Sequence, residues 1–165
     1  MKFEQFLKQK QSTLVFDDAG ELIKRYDYDK TDAKSLPPLI LAYMGDAWFD
    51  LFVRTKLLSF EQSKVRILHD FDAAIVSATM QSLALHALER ELTEIEQSVV
   101  RRGRNAKSTV PKSATVRDYR ASTGFEALLG YLYITKQFDR LTEMGEKAFV
   151  VIARAMTNSK TEQDE

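Results

Sequence analysis

Apolar residues recur along this chain at intervals of about three and four, the spacing that lays them along one face of a helix, and no credible strand pair or internal repeat appears. Residues 1–34 are the least regular. Phe3, Phe6 and Leu7 predict a short amphipathic helix, Asp17-Asp-Ala-Gly20 a turn, and a polar stretch continues to Lys34, so this part reads as an N-terminal extension. At Ser35-Leu-Pro-Pro-Leu a capping residue and first-turn prolines open a helix that runs to Leu58; proline suits that position because the first N–H groups of a helix have no carbonyl partner. A second helical region covers Gln62 to Arg90, with Val65, Leu68, Ile75, Val76, Leu83 and Leu85 among its apolar positions. Thr93-Glu-Ile-Glu96 has capping-box spacing, and Gly103 is placed to stop the helix that Thr93 starts. After a loop from Arg104 to Ala114, Thr115-Val-Arg-Asp118 begins a helix through Tyr133, and Asp139 caps a last one ending near Met156. The fold class is all-α, with one helical domain over 35–157 and a polar tail at 158–165.

Three glycines, Gly45, Gly124 and Gly130, interrupt helical patterns where each costs about 1 kcal/mol relative to alanine. A glycine at such a place lets another backbone or a large side chain come close, and both helices affected carry an acid in apolar company. Asp46 sits within Ala42-Tyr-Met-Gly-Asp-Ala-Trp-Phe-Asp50, and Glu126 within Thr123-Gly-Phe-Glu-Ala-Leu-Leu-Gly130. A carboxylate that loses water on folding stays ionised only if a cation or several donors compensate. Asp46 and Glu126 are therefore candidate metal ligands, on helices expected to cross near the glycines.

Composition narrows the class. The chain's 165 residues, 44% hydrophobic and 29% charged, can bury a core unaided. With no cysteine there is no disulfide, no Cys-ligated zinc and no thiol nucleophile. The start, Met-Lys-Phe-Glu-Gln-Phe-Leu-Lys, is too polar for a signal peptide, and no run approaches the roughly 18 apolar residues of a membrane span. The expectation is a cytoplasmic protein with no membrane partner. Net charge is zero, but from Val99 to Arg120 the positives Arg101, Arg102, Arg104, Lys107, Lys112, Arg117 and Arg120 face only Asp118. Local charge sets the field that a polyanion meets.

Ala42-Tyr-Met-Gly-Asp-Ala resembles the signature helix of the ribonuclease III catalytic domain, and Phe125-Glu-Ala-Leu-Leu-Gly resembles that family's second acidic helix. Between them, Arg101-Arg-Gly-Arg-Asn-Ala-Lys107 and Tyr119-Arg120 look like the Mini-ribonuclease III branch; the resemblance spans roughly 36–133. It implies an all-helical homodimer that hydrolyses double-stranded RNA, one strand per active site, with magnesium as cofactor and manganese as a substitute. The branch is associated with maturing the ends of precursor 23S ribosomal RNA, with a ribosomal protein as a possible partner on the substrate. Ordinary members carry a C-terminal double-stranded-RNA-binding domain; only nine residues follow Met156, so that module is expected to be absent.

The family's further acids are replaced here by Leu39, Ala42 and Thr123, leaving Asp46 and Glu126 as the matching catalytic and metal-binding pair. Two carboxylates can suffice, since magnesium keeps several waters and also binds substrate phosphate. Arg101, Arg102, Arg104, Asn105, Lys107 and Arg120 are the expected RNA-binding set, much of it on a loop bounded by Gly103 and Pro111. By resemblance Tyr43 enters the partner subunit, while Trp48, Phe49 and Phe52 are most simply core. Asp50 is expected to pair with Arg54 one turn on, and Thr123 either caps and packs locally or bonds a metal-bound water. The rivals are a His-Asp metal phosphohydrolase, suggested by His69-Asp70 but lacking its earlier histidine, and a catalytically inactive dimeric binder of structured RNA.

Overall fold

The computed structural model describes residues 30–161, with side chains over 33–158; the helix expected at Phe3–Leu7 and the turn at Asp17–Gly20 lie outside them. Seven α-helices are described: α1 Lys30–Ser35, α2 Pro38–Leu57, α3 Val65–Ile75, α4 Ala78–Leu88, α5 Glu94–Arg104, α6 Val116–Ile134 and α7 Phe138–Thr161, with a short 3-10 turn at Glu89–Glu91. No strand occurs among the described residues, so the all-α expectation holds.

Helix α6 runs through the centre. Eleven of its residues are buried, from Ala121 to Thr123, through Gly124 and Phe125, and from Ala127 to Leu132. A helix apolar around its circumference must be enclosed by others, and α2, α4 and α5 supply the enclosure while α7 packs on α4. Phe49 of α2 meets Phe125 edge-on, with ring centroids 5.2 Å apart and planes at 90°, the arrangement their quadrupoles favour. Trp48 stacks on Phe52 at 5.0 Å and covers Gly145 of α7, where a Cβ would fall 2.7 Å from the indole.

Glycine permits two close helix crossings. A Cβ on Gly45 would lie 1.8 Å from the Glu126 carbonyl oxygen, and one on Gly130 would lie 1.9 Å from that of Leu41, so α2 and α6 touch backbone to backbone. Gly103 and Gly124 repeat the arrangement between α5 and α6, where a Cβ on Gly103 would meet the Gly124 Cα at 2.8 Å. Gly103 therefore does not end its helix as expected: α5 continues to Arg104 and closes at Asn105.

Other boundaries also differ from the sequence reading. The region from Gln62 to Arg90 is two helices, because Ser77 takes extended backbone and its hydroxyl accepts from the Met80 N–H, starting α4 afresh. Asp139 lies inside the first turn of α7, and that helix runs on to Thr161. Lys30 to Lys34, placed in the extension, are helical, and Ser35, expected to cap α2, instead ends α1, the cap position of α2 being Pro37; Ala33 is fully buried, and Arg102 donates to the carbonyls of Lys34 and Leu36 (2.6 Å to the latter). A cation suits those unpaired carbonyls at the end of α1.

The expected capping box forms, with Thr93 N–H donating to Glu96 at 2.8 Å and Glu96 N–H to Thr93 Oγ1 at 3.3 Å. Glu96 also accepts from Arg140 Nε at 2.9 Å and Nη2 at 3.0 Å, tying α5 to α7. Burial raises its pKa, but the bonds from Arg140 and Thr93 outweigh that and hold it below the ordinary value.

Gly45→Ala places a methyl group inside the Glu126 carbonyl, and α2 and α6 must separate to admit it. The expected cost is about 3 kcal/mol or more, read from urea unfolding; a midpoint equal to wild type would mean the two backbones do not touch.

Candidate active site

Asp46 follows Gly45 on α2, and the Glu126 carbonyl is the atom that Gly45 lies against. The glycine crossing thus sets the two acidic residues across from each other, although 80 positions separate them. Glu126 is half-buried. Burial first, and then the charge of Asp46, push its carboxyl up to about 8, while a hydrogen bond from the Gln81 side chain pulls the other way. Asp46 is also raised, by partial burial and then by Asp50. It is nevertheless exposed in the single chain, against the expectation that its apolar neighbours strip it of water. The reason is that Tyr43, 75% exposed, and Ala47 point outward with it, while Phe49 takes the core.

Farther along α2, Asp50 pairs with Arg54 at 3.0 Å as expected, and Arg54 Nε donates to Asp72 of α3 at 3.0 Å. Asp72 is buried, and burial followed by repulsion from Asp50 raises its pKa against the opposing pull of Arg54. Thr123 is buried and donates to the Tyr119 carbonyl at 2.9 Å, which is local packing. His69 and His86 are exposed positions on α3 and α4, and His86 lies 3.7 Å from Glu89.

Among the described residues no group of three or more His, Cys, Asp or Glu could hold a metal ion. The acids available at the crossing are Asp46 and Glu126. A carboxyl whose ionisation is opposed by burial and by the charge of Asp46 suits a hard divalent cation beside it, and two oxygen donors can serve magnesium, which brings water and phosphate oxygens of its own.

The basic residues divide. Arg104, expected on the loop, lies with Arg101 and Arg102 on the last turn of α5, because the helix passes through Gly103. Arg102 is committed to the end of α1, and Arg104 donates to Glu89 at 3.0 Å. Arg101, Asn105, Lys107 and Arg120 are exposed, the last on α6 ahead of Glu126. Sequence reasoning missed Gln81, which is 1% exposed on α4, a helix packed on α6. Its only signal was a polar residue amid Met80, Ala84 and Leu85, which periodicity cannot tell from a solvent-facing position.

The ribonuclease III domain family matches residues 39–137, a span that holds both acids, both glycine crossings and the basic turn of α5. The chain belongs to the ribonuclease III family. It is similar to Mini-ribonuclease 3 of Symbiobacterium thermophilum, 52% identical over 121 residues that make up 73% of this chain and 93% of that protein. It is 44% identical over 124 residues to Mini-ribonuclease 3 of a Thermoanaerobacter species, covering 74% and 87% of the two chains. A crystal structure of a protein from Fusobacterium nucleatum superposes with a TM-score of 0.63 at 30% identity, covering 67% of this chain and 90% of that one. The resemblance read from the two acidic helices therefore holds, and the chain is an endoribonuclease of the ribonuclease III type.

Glu126 keeps its proton to about 8 when folded and to its ordinary 4.5 when unfolded. Between those values the folded state binds more protons, so the stability of the cation-free protein falls as pH rises through the window. Glu126→Gln cannot ionise. In EDTA, its stability relative to wild type is expected to increase from about pH 5 to about pH 8, as followed by urea midpoints; parallel profiles would place Glu126 in water.

Proposed function

We propose that this protein is a magnesium-dependent endoribonuclease that cleaves double-stranded RNA as a homodimer, and that it matures the ends of precursor 23S ribosomal RNA in the cytoplasm. The observation that carries this reading is the facing pair Asp46 and Glu126, set across the Gly45–Gly130 crossing in a chain of the ribonuclease III family. Magnesium, or manganese in its place, supplies an activated water and charge neutralisation at the phosphate when bound. Asp46 would hold that ion and orient the attacking water, and Glu126 would be the second ligand.

Arg101, Asn105, Lys107 and Arg120 have exposed side chains to offer the phosphates and 2′-hydroxyls that duplex RNA presents across its shallow groove. Arg102 and Arg104 contribute to that surface through the helix turn they share with Arg101. A ribosomal protein bound to the substrate is a compatible partner.

Dimerisation is supported by α2. Ile40 is 51% exposed, Tyr43 75% and Leu51 65%, and with Ala47 they form one apolar stripe beside Asp46. An apolar stripe of this kind marks an interaction surface, and self-association across it would set two copies of the acid pair near one duplex.

Asp46→Asn should lower magnesium-dependent cleavage of a duplex RNA by at least about a hundredfold, as loss of an inner ligand exceeds the effect of losing its supporting partners. Melting temperature and RNA affinity in EDTA should be unchanged; cleavage at the wild-type rate would remove Asp46 from the chemistry.

Tyr43→Asp puts a charge into the apolar stripe. Light scattering after size exclusion should show a folded monomer in place of a dimer, whereas an intact dimer would move the interface off α2.

A further inference from the structure

A cavity of about 630 Å³ opens between the 3-10 turn and α5, within the range of roughly 300–1,000 Å³ typical of ligand pockets. Its apolar lining is Leu92 and Val100, 6% and 4% exposed. Arg90, Arg101 and Asn105 stand round it with exposed side chains that make no hydrogen bond or ion pair among the described residues. Gln97 gives one amide N–H to the Leu92 carbonyl at 3.0 Å, which leaves its second N–H and its oxygen. The Arg104–Glu89 ion pair, at 3.0 Å, forms one wall. Arg90 lies outside the basic run of the sequence, and the fold brings it to the same cavity as Arg101.

The cavity is tied to the helix that carries Glu126. Arg104 and Val100 lie over Gly124 of α6, where a Cβ would meet Arg104 Cγ at 2.8 Å and the Val100 carbonyl oxygen at 3.0 Å. Two residues separate Gly124 from Glu126, about 3 Å along the helix axis and about 200° around it. The cavity wall and the acid therefore stand at one level of α6, on different sides.

A rigid duplex presents a convex row of phosphates, which cations on an open face are enough to meet. A concave site with an apolar floor, guanidinium planes and uncommitted amide groups suits something else. An unstacked RNA base lies on guanidinium planes and bonds through its edge, and its rings need an apolar surface. Charge agrees, since three arginines against Glu89 leave the lining an excess of two positives (3 − 1) for the adjoining phosphates.

We infer that this cavity is a nucleotide subsite: it receives one unpaired nucleotide of the RNA, the base on Leu92 and Val100 beside the guanidinium groups of Arg90 and Arg101, with Asn105 and Gln97 as donors and acceptors for the base edge. The inference rests on the RNA-cleaving reading and adds a substrate preference to it. A nucleotide that is already unpaired enters without the cost of extruding it from the duplex, so RNA carrying one binds better than a fully paired duplex.

The test compares two short RNA duplexes, one fully paired and one with a single unpaired 2-aminopurine nucleotide, in EDTA so that neither is cut. Affinities for the full chain are measured by gel mobility shift, and the emission of the 2-aminopurine is followed as a second readout. Wild type is expected to bind the duplex with the unpaired nucleotide about tenfold more tightly, with a change in emission on binding. Arg90→Met and Arg101→Met keep the apolar stem and lose the guanidinium plane; in each the two affinities should become equal and the emission should stay as in free RNA. Lys107→Met removes a cation outside the cavity and should weaken both duplexes while preserving their ratio. Equal affinity of wild type for the two duplexes would overturn the subsite and leave the duplex-cleaving reading intact. A preference that survives in either arginine variant would put the nucleotide elsewhere and overturn the subsite too. Wild type that binds neither duplex would overturn the RNA reading itself, and the subsite with it.

Discussion

The contact on which the rest depends is the backbone-to-backbone approach of α2 and α6 at Gly45 and Gly130. Each glycine lies against a carbonyl of the opposite helix, so neither position has room for a methyl group. That closeness gives α6 its central place: α2 lies directly on it, the Phe49–Phe125 ring pair fills the space alongside, and α4 and α5 close the other sides. It also gives the site its geometry. Because Asp46 follows one glycine and Glu126 carries the carbonyl that this glycine touches, the separation of the acids is inherited from helix packing and not from a flexible loop.

Electrostatics at the crossing runs against the single chain. Glu126 is pushed to about 8 by burial and by Asp46, and Asp46 is raised by burial and by Asp50. A fold that spends stability on facing carboxylates makes sense where a cation relieves the repulsion. The neighbouring acids differ because each has a basic partner. Asp50 and Asp72 share Arg54, and Glu96 has Arg140. Among the described residues Asp46 and Glu126 form no ion pair with a guanidinium, unlike these structural acids.

Basic residues show the same division of labour. Arg102 and Arg140 are tied into the scaffold by hydrogen bonds to main-chain carbonyls, Arg102 at the end of α1 and Arg140 at Glu91. Arg104 is taken up by Glu89. Arg101, Lys107 and Arg120 keep their charge at the surface. A run of positives in the sequence is thus a mixture, and the exposed members shape the field that an approaching polyanion meets.

Periodicity and capping chemistry, which are local, were enough to determine the helical class, the start of α2 at the prolines, the Thr93–Glu96 box, and the expectation that glycines mark a crossing near two acids. The family was also legible, since it is carried by short blocks around Asp46 and Glu126. What the sequence could not decide were the outcomes that depend on distant partners. Ser77 splits one apparent helix into α3 and α4, and Gly103 continues a helix because Gly124 lies against it. Asp46 stays exposed because Tyr43 and Ala47 turn outward with it. Gln81, polar in sequence, is buried because α4 packs beside α6. Spacing along a helix sets which side chains share a face, but tertiary packing alone sets what that face meets.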